Sequence, residues 1–100
     1  MRANRKAARV DTNQSGIISR LLQIGASVEE DHDDIIVGYR GRSYWYEIKN
    51  PNKLKKNGEW QKGALRESQL ELLKTFKGHY RVITTFEEIF EEITTRQSEK

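Results

Sequence analysis

The stretch from Asp34 to Lys49, DIIVGYRGRSYWYEIK, decides the fold of this chain. Its first six residues are rich in β-branched side chains, which favour a buried strand. Residues 38–42 (GYRGR) combine glycines with arginines, a composition typical of a tight hairpin turn. A second strand is predicted over residues 43–50, and Pro51 ends it because proline has no backbone N–H to donate to a sheet. The stretch therefore predicts two strands that fold back on each other.

Apolar spacing predicts the elements on either side of this hairpin. Apolar residues recur at helical spacing from Asn13 until Gly25, and Asp11, Thr12 or Asn13 is expected to cap that helix. The further predictions are a marginal strand over 26–29, a long polar loop over 53–63, a helix over 66–76, a strand over 80–84 and a helix over 85–93. This order predicts a mixed sheet with helices packed on it, in the α/β class.

The composition indicates one modest domain. The chain has 100 residues, of which 35% are apolar and 33% charged, with a formal net charge of +3. We expect a flexible basic arm over residues 1–11, a single domain over 12–95 and a polar tail over 96–100. The absence of cysteine excludes disulfides and thiolate metal sites. No run approaches the roughly 20 apolar residues that span a bilayer, so we expect a soluble protein of the cytoplasm and no membrane partner.

Three charged residues of the hairpin suit one kind of chemistry. Side chains alternate along a strand, so Glu47 and Lys49 point to the same side of the sheet. If the strand pairing brings Asp34 beside Glu47, two carboxylates and one ammonium meet. Two carboxylates hold a hard divalent cation, and a nearby lysine can stabilise charge on a phosphate, which together suit phosphodiester hydrolysis. The alternative is a solvent-exposed strand face with a cross-strand ion pair.

Two runs, residues 33–42 (DDIIVGYRGR) and 46–49 (YEIK), resemble a known family, and Ser68-Gln69 at the start of the later helix adds to the likeness. The chain resembles the stand-alone VRR-NUC domains of phages and prophages, within the PD-(D/E)XK nuclease superfamily, over roughly Asn13 to Ile93. The resemblance implies a restriction-endonuclease-like αβββαβ core followed by a C-terminal helix. It also implies a homodimer that cuts branched DNA, such as four-way junctions, inside a bacterial or phage-infected cell.

The resemblance further implies a site that uses Mg²⁺ or Mn²⁺. The implied catalytic residues are Asp34, Glu47, Lys49 and Gln69. The implied metal ligands are Asp34, Glu47 and the backbone carbonyl of Ile48. An exposed polar helix position is the alternative for Gln69.

Two positions depart from the family pattern. Asp33 stands where a proline is usual, and the first-helix glutamate of the family falls on Gly16. Since that glutamate helps to bind or position metal, Gly16 favours an alternative function, a catalytically attenuated DNA-binding module on the same fold. A third hypothesis is a small interaction domain whose carboxylates are only surface charges.

The segment after the second strand is a candidate DNA contact. Four lysines and one tryptophan are predicted to bind DNA, namely Lys53, Lys55, Lys56, Lys62 and Trp60. A solvated loop is the alternative for each lysine. Trp60 either stacks on an unpaired base or anchors the loop to the core. His32 is a candidate metal ligand or proton shuttle, with a solvated side chain as its alternative, and the case for His79 is weaker.

Overall fold

The predicted hairpin forms and organises a four-stranded mixed sheet. The computed structural model describes residues 13–32 and 34–98. Its elements are α1 (Gln14–Gln23), β1 (Ser27–Asp31), β2 (Asp34–Tyr39), β3 (Arg42–Ile48), a 3₁₀ turn (Pro51–Lys53), α2 (Glu67–Thr75), β4 (Tyr80–Ile83) and α3 (Phe86–Ser98). The α/β class and the αβββαβ order with a C-terminal helix are confirmed. The predicted basic arm, Asp11, Thr12 and Asp33 lie outside the described residues.

The turn between β2 and β3 sets the register of the sheet. Arg40 and Gly41 form a two-residue turn with φ values of 52° and 84°. Positive φ at both central residues is the geometry of the type I′ turn, whose twist matches that of the flanking strands. It pairs Tyr39 with Arg42, and the antiparallel register then runs back to Asp34 opposite Glu47. Strand order is β1-β2-β3-β4, with β4 parallel to β3.

The apolar core lies on one face of the sheet, under α1 and α3. Alternate strand residues point into it, and each is almost fully buried: Ile35, Val37, Tyr44, Tyr46, Ile48 and Ile83. The helices contribute Ile17, Leu21, Phe86, Ile89 and Ile93. The opposite face therefore carries the other set of side chains. On it Trp45 contacts Phe76, which follows α2, and Tyr80, with ring centroids 5.1 and 4.7 Å away.

Helix α3 is longer than its apolar spacing predicts. It begins after Thr85, whose hydroxyl accepts a bond from the backbone N–H of Glu88 while Glu88 Oε1 accepts the backbone N–H of Thr85. This reciprocal capping satisfies two N–H groups that the helix itself leaves free. The helix then continues to Ser98, so residues 96–98 extend it where a polar tail was predicted. Within the described residues, no helix is long and apolar enough to cross a membrane.

A partly buried polar cluster joins α3 to the sheet. Glu92 Oε1 accepts the Tyr46 hydroxyl at 2.7 Å and lies 2.9 Å from His79 Nε2 and 3.5 Å from Arg81. The His79 ring stands edge-on to Tyr44 and Tyr46, with both centroid distances 5.1 Å. Partial burial raises the pKa of the Glu92 carboxyl, but the hydrogen bond from Tyr46 and the neighbouring His79 and Arg81 outweigh it and hold that pKa below its usual range. His79 is therefore accounted for by packing.

We expect this cluster to make stability depend on pH. Because the folded-state pKa of Glu92 is depressed, its contribution is present above the ordinary glutamate value of about 4.3 and is lost as the pH falls through the lower folded value. Glu92→Gln should lower the free energy of unfolding at neutral pH by about 1–3 kcal/mol. On acidification, its free energy of unfolding should fall less than that of wild type. Urea unfolding at neutral and acidic pH measures the free energy of unfolding and its loss on acidification. Glu91→Gln, at an exposed position of α3, is the control. Equal acid losses in wild type and Glu92→Gln would contradict this assignment.

Candidate active site

The two carboxylates predicted to meet do face each other across the hairpin. Asp34, the first residue of β2, is the register partner of Glu47 near the end of β3. Directly opposite residues of an antiparallel pair share a sheet face and have neighbouring Cβ atoms. Glu47 is 1% exposed and Lys49 is 6% exposed. The alternative of a solvent-exposed strand face therefore does not describe them.

Lys49 is held both by its side chain and by its backbone. Its Nζ lies 3.5 Å from Glu47 Oε2. Its N–H donates to the carbonyl of Ile83 at 2.9 Å, which continues the β3–β4 pairing one residue past the end of β3. Its carbonyl accepts the Asn13 side chain at 3.2 Å. The ammonium thus projects from a backbone fixed on both sides, which suits a group that must be positioned before substrate arrives.

Asn13 ties three elements together at this site. It precedes α1, but its side chain makes no capping bond to the helix, contrary to one of the predicted caps. The amide instead donates to the carbonyl of Lys49 and, at 2.6 Å, to that of Thr84. The start of α1 is therefore bound to the ends of the two parallel strands. Only the folded chain brings these carbonyls within reach of Asn13.

Gln14 is the α1 side chain that reaches the site, and the sequence interpretation missed it. It is 4% exposed, and its Nε2 donates to the carbonyl of His32 at 2.7 Å, two residues before Asp34. It stands three residues before Ile17 and seven before Leu21, the buried positions of α1. That spacing places Gln14 on the buried side of α1, so its burial could have been predicted from helical periodicity.

Gly16, on which the resemblance places the family's first-helix glutamate, lies on the outer side of α1. Gly16 is exposed, and a Cβ added there would meet nothing within 4 Å. Two residues along a helix correspond to about 200° of rotation, so Gly16 and Gln14 point in nearly opposite directions. The α1 side chain that is bound to the backbone just before Asp34 is therefore the neutral amide of Gln14.

Several buried polar atoms around the pair are available to a ligand. Within the described residues, Asp34 Oδ1, Gln14 Oε1 and Gln69 Nε2 are buried and have no hydrogen-bond partner. Native proteins rarely leave such atoms unsatisfied, and the exceptions concentrate at functional sites. Two carboxylates with a neutral amide oxygen are the donors that a hard divalent cation prefers. Among the residues that the structure describes, no three His, Cys, Asp or Glu side chains are grouped closely enough to hold a metal ion by themselves.

Gln69 is buried, which excludes the alternative of an exposed helix position. It is 2% exposed, and its Oε1 accepts the backbone N–H of Arg66 at 2.9 Å, closing the first turn of α2. The amide Nε2 is then left as a donor. Phe76 at the end of α2 contacts Trp45, which shares a sheet face with Glu47, so α2 lies on the face of the carboxylates. Ile48, between Glu47 and Lys49, points its side chain into the core.

The predicted loop over 53–63 contains a small hairpin. Leu54 forms a β-bridge with Trp60, and the backbone N–H of Gln61 donates to the carbonyl of Lys53 at 2.8 Å. All four predicted DNA-binding lysines of the segment are exposed, whereas Trp60 is half-buried. His32, in contrast, has a side chain that is 88% exposed and pairs with Asp31 at 3.1 Å. This agrees with its alternative, a solvated side chain.

Comparison of the chain with protein-family models, with curated proteins and with solved structures gave no match. The functional assignment therefore depends on the residues of the site and on the sequence resemblance described above.

Proposed function

We propose that this chain is a divalent-metal-dependent endonuclease that hydrolyses phosphodiester bonds in DNA. The observation that carries the proposal is the pairing of half-buried Asp34 with buried Glu47 across the hairpin, with the Lys49 ammonium 3.5 Å from Glu47. Burying charges costs several kcal/mol per ion, and hydrophobic residues of similar volume are often as stable or more so. Such an arrangement beside unsatisfied polar atoms is typical of a catalytic site.

Each residue has a role that its chemistry allows. Asp34 and Glu47 would hold Mg²⁺ or Mn²⁺, with the Gln14 amide oxygen and the Ile48 carbonyl as neutral oxygen donors. When bound, the cation neutralises phosphate charge and lowers the pKa of a water molecule. Lys49 Nζ, 3.5 Å from Glu47 Oε2, would donate to a phosphate oxygen as negative charge develops there. Gln69 Nε2 is a second, neutral donor on the same face.

A homodimer is the second part of the proposal. Four apolar side chains on the face of the carboxylates are about half exposed: Ile36 47%, Leu70 47%, Leu73 44% and Phe76 43%. Leu70 and Leu73 lie three residues apart on α2, and Phe76, which directly follows the helix, contacts Trp45, the register partner of Ile36. A second copy docked on this apolar patch would bury it. The resulting dimer would carry two active sites, which suits paired cuts in branched DNA. Sedimentation as a monomer at micromolar concentration would contradict this.

The direct experiment compares labelled DNA substrates of one sequence composition. Four-way junction, flap and linear duplex are incubated with Mg²⁺, with Mn²⁺ and with EDTA. We expect metal-dependent nicks that are fastest in the junction. No cleavage of any substrate with either metal, by a folded protein that binds DNA, would contradict the nuclease.

An attenuated DNA-binding module is the second candidate, and Gln14 is the observation that favours it. The resemblance implies a carboxylate from the first helix, whereas the buried α1 side chain bound to the backbone just before Asp34 is the Gln14 amide. A neutral ligand attracts a divalent cation less strongly than a carboxylate. Under this candidate, the protein binds branched DNA and cuts it slowly or not at all.

Gln14→Glu should raise both Mn²⁺ affinity and the cleavage rate by about tenfold, the scale of changes next to a metal site. In EDTA it should be less stable than wild type, because the hydrogen bond to the His32 carbonyl is lost. Gly16→Glu is the matched control: it adds the same charge on the outer side of α1, should leave cleavage unchanged and should stabilise the helix by up to about 1 kcal/mol.

Calorimetry and initial cleavage rates on the junction distinguish the two candidates. If wild type already cuts rapidly and Gln14→Glu adds nothing, the attenuated module is excluded. If Gly16→Glu raises the rate and Gln14→Glu does not, the assignment of the facing position is wrong.

A further inference from the structure

Residues 53–62, which we term the basic hairpin, are already ordered by their own hydrogen bonds. The N–H of Lys55 donates to the carbonyl of Glu59 at 2.7 Å, alongside the Leu54–Trp60 bridge. At the tip the N–H of Gly58 donates to the carbonyl of Lys55 at 2.9 Å, with Gly58 at a φ of 91°. A ribbon that is ordered before binding does not lose backbone entropy when it meets a partner.

The charge of the basic hairpin points to a polyanion. It carries four exposed lysines and a single acidic residue, Glu59. Within the described part of the chain, none of these lysines makes an ion pair with a carboxylate. Lysines held in this way on one projecting ribbon are suited to contact phosphates on either side of a groove.

The basic hairpin is joined in sequence to Lys49 at one end and to the start of α2 at the other. The chain leaves Lys49, passes through Asn50, whose side chain accepts the backbone N–H of Asn52 at 2.9 Å, and enters the ribbon. It returns at Ala64, which is 7% exposed, just before the Arg66–Gln69 cap of α2. The four lysines therefore stand within a short stretch of chain between Lys49 and the helix that carries Gln69.

We propose that the basic hairpin enters the major groove of a B-form DNA duplex next to the scissile phosphate, so that the substrate must be double-stranded on that side. The proposal rests on the nuclease function proposed above. The major groove of B-form DNA admits a two-stranded β-ribbon. The deep, narrow groove of A-form RNA excludes side chains, so the basic hairpin selects DNA over double-stranded RNA.

A single strand fits this surface less well. Proteins that bind single-stranded nucleic acid stack successive bases on several aromatic side chains. The basic hairpin has one aromatic residue, Trp60, which is half-buried and bridged to Leu54. The lysines contact phosphates rather than base edges, so recognition is of duplex form rather than of sequence.

The test measures binding in EDTA, so that it does not depend on cleavage. Fluorescence anisotropy compares wild type with Lys55→Ala/Lys56→Ala on duplex DNA, on a single strand of the same sequence and on double-stranded RNA. The matched control is Lys74→Ala/Lys77→Ala, which removes two exposed lysines elsewhere. We expect the hairpin variant to bind duplex DNA roughly tenfold or more weakly at about 0.1 M salt, with a logarithmic salt slope smaller by about 2. Binding to single strands and RNA should be weaker and nearly unchanged.

Methylation of guanine N7, which lies in the major groove, should interfere with wild-type binding in the duplex flanking the cut and not with the hairpin variant. Equal affinity and equal loss on single-stranded DNA would show that the hairpin tracks a single strand and would overturn the proposal, as would unchanged duplex binding by the variant. Duplex-selective binding without cleavage would contradict the nuclease and support the hairpin. Cleavage of DNA together with unchanged duplex binding by Lys55→Ala/Lys56→Ala would support the nuclease and contradict the role of the basic hairpin.

Discussion

Replacing Lys49 by methionine should slow cleavage of branched DNA on the order of a thousandfold while leaving binding within a few fold. Methionine keeps much of the length of the lysine side chain but removes the ammonium that lies 3.5 Å from Glu47. A preorganised donor to developing charge in a water-poor site contributes a factor of about 10² to 10³. DNA binding depends mainly on exposed lysines, which this substitution leaves in place.

Stability must be separated from catalysis in that experiment. Removing Lys49 leaves Glu47 buried beside Asp34, and breaking a buried ion pair costs about 3–5 kcal/mol. The double variant Glu47→Gln/Lys49→Met removes both charges and should recover most of that loss while remaining inactive. Lys74→Met, at an exposed lysine of α2, should cut like wild type. A folded Lys49→Met protein that cuts at more than about a tenth of the wild-type rate would remove Lys49 from the mechanism.

Asp34→Asn should abolish the thermal stabilisation that Mn²⁺ gives the wild-type protein. A ligand that binds only the folded state stabilises it by about 2.7 kcal/mol at one hundred times its Kd. For a domain of this size each kcal/mol raises Tm by about 4–8 °C, so the wild-type shift should exceed about 10 °C. Asp34→Asn lacks one of the two carboxylate ligands and should shift by less than a few degrees.

Without metal the same substitution should not destabilise the fold. Asp34 Oδ1 is buried with no hydrogen-bond partner among the described residues, and Glu47 faces it across the sheet. Removing one of two neighbouring negative charges relieves repulsion, so Tm in EDTA should equal or exceed that of wild type. Asp31→Asn is the control, because its side chain is 86% exposed. An unchanged Mn²⁺ response in Asp34→Asn would show that the metal binds elsewhere.

The sequence by itself determined the hairpin but left its register open. The apolar and β-branched residues of DIIVGY and SYWYEI favour strands with a turn between them, and the two-residue turn at Arg40-Gly41 seen in the structure sets one pairing. The shared direction of Glu47 and Lys49 follows from the alternation of side chains along a strand, whereas the juxtaposition of Asp34 and Glu47 depends on that register. The order of helices and strands could be predicted for the same reason, since each element carries its own periodicity.

Only the tertiary structure decided which polar residues belong to the site. Burial depends on what packs against an element. Helical spacing already placed Gln14 on the buried side of α1, but only packing showed that it meets the backbone before Asp34 and that Gly16 faces outward. Asn13 is a residue type that commonly caps helices, yet its side chain donates to the carbonyls of Lys49 and Thr84, which are distant in sequence. From the sequence, Gln69 could equally have occupied an exposed helix position. The structure shows it buried, because α2 packs on the sheet face of the carboxylates. Local periodicity fixes the direction in which a side chain points, and the long-range packing of helices on the sheet fixes what it meets there.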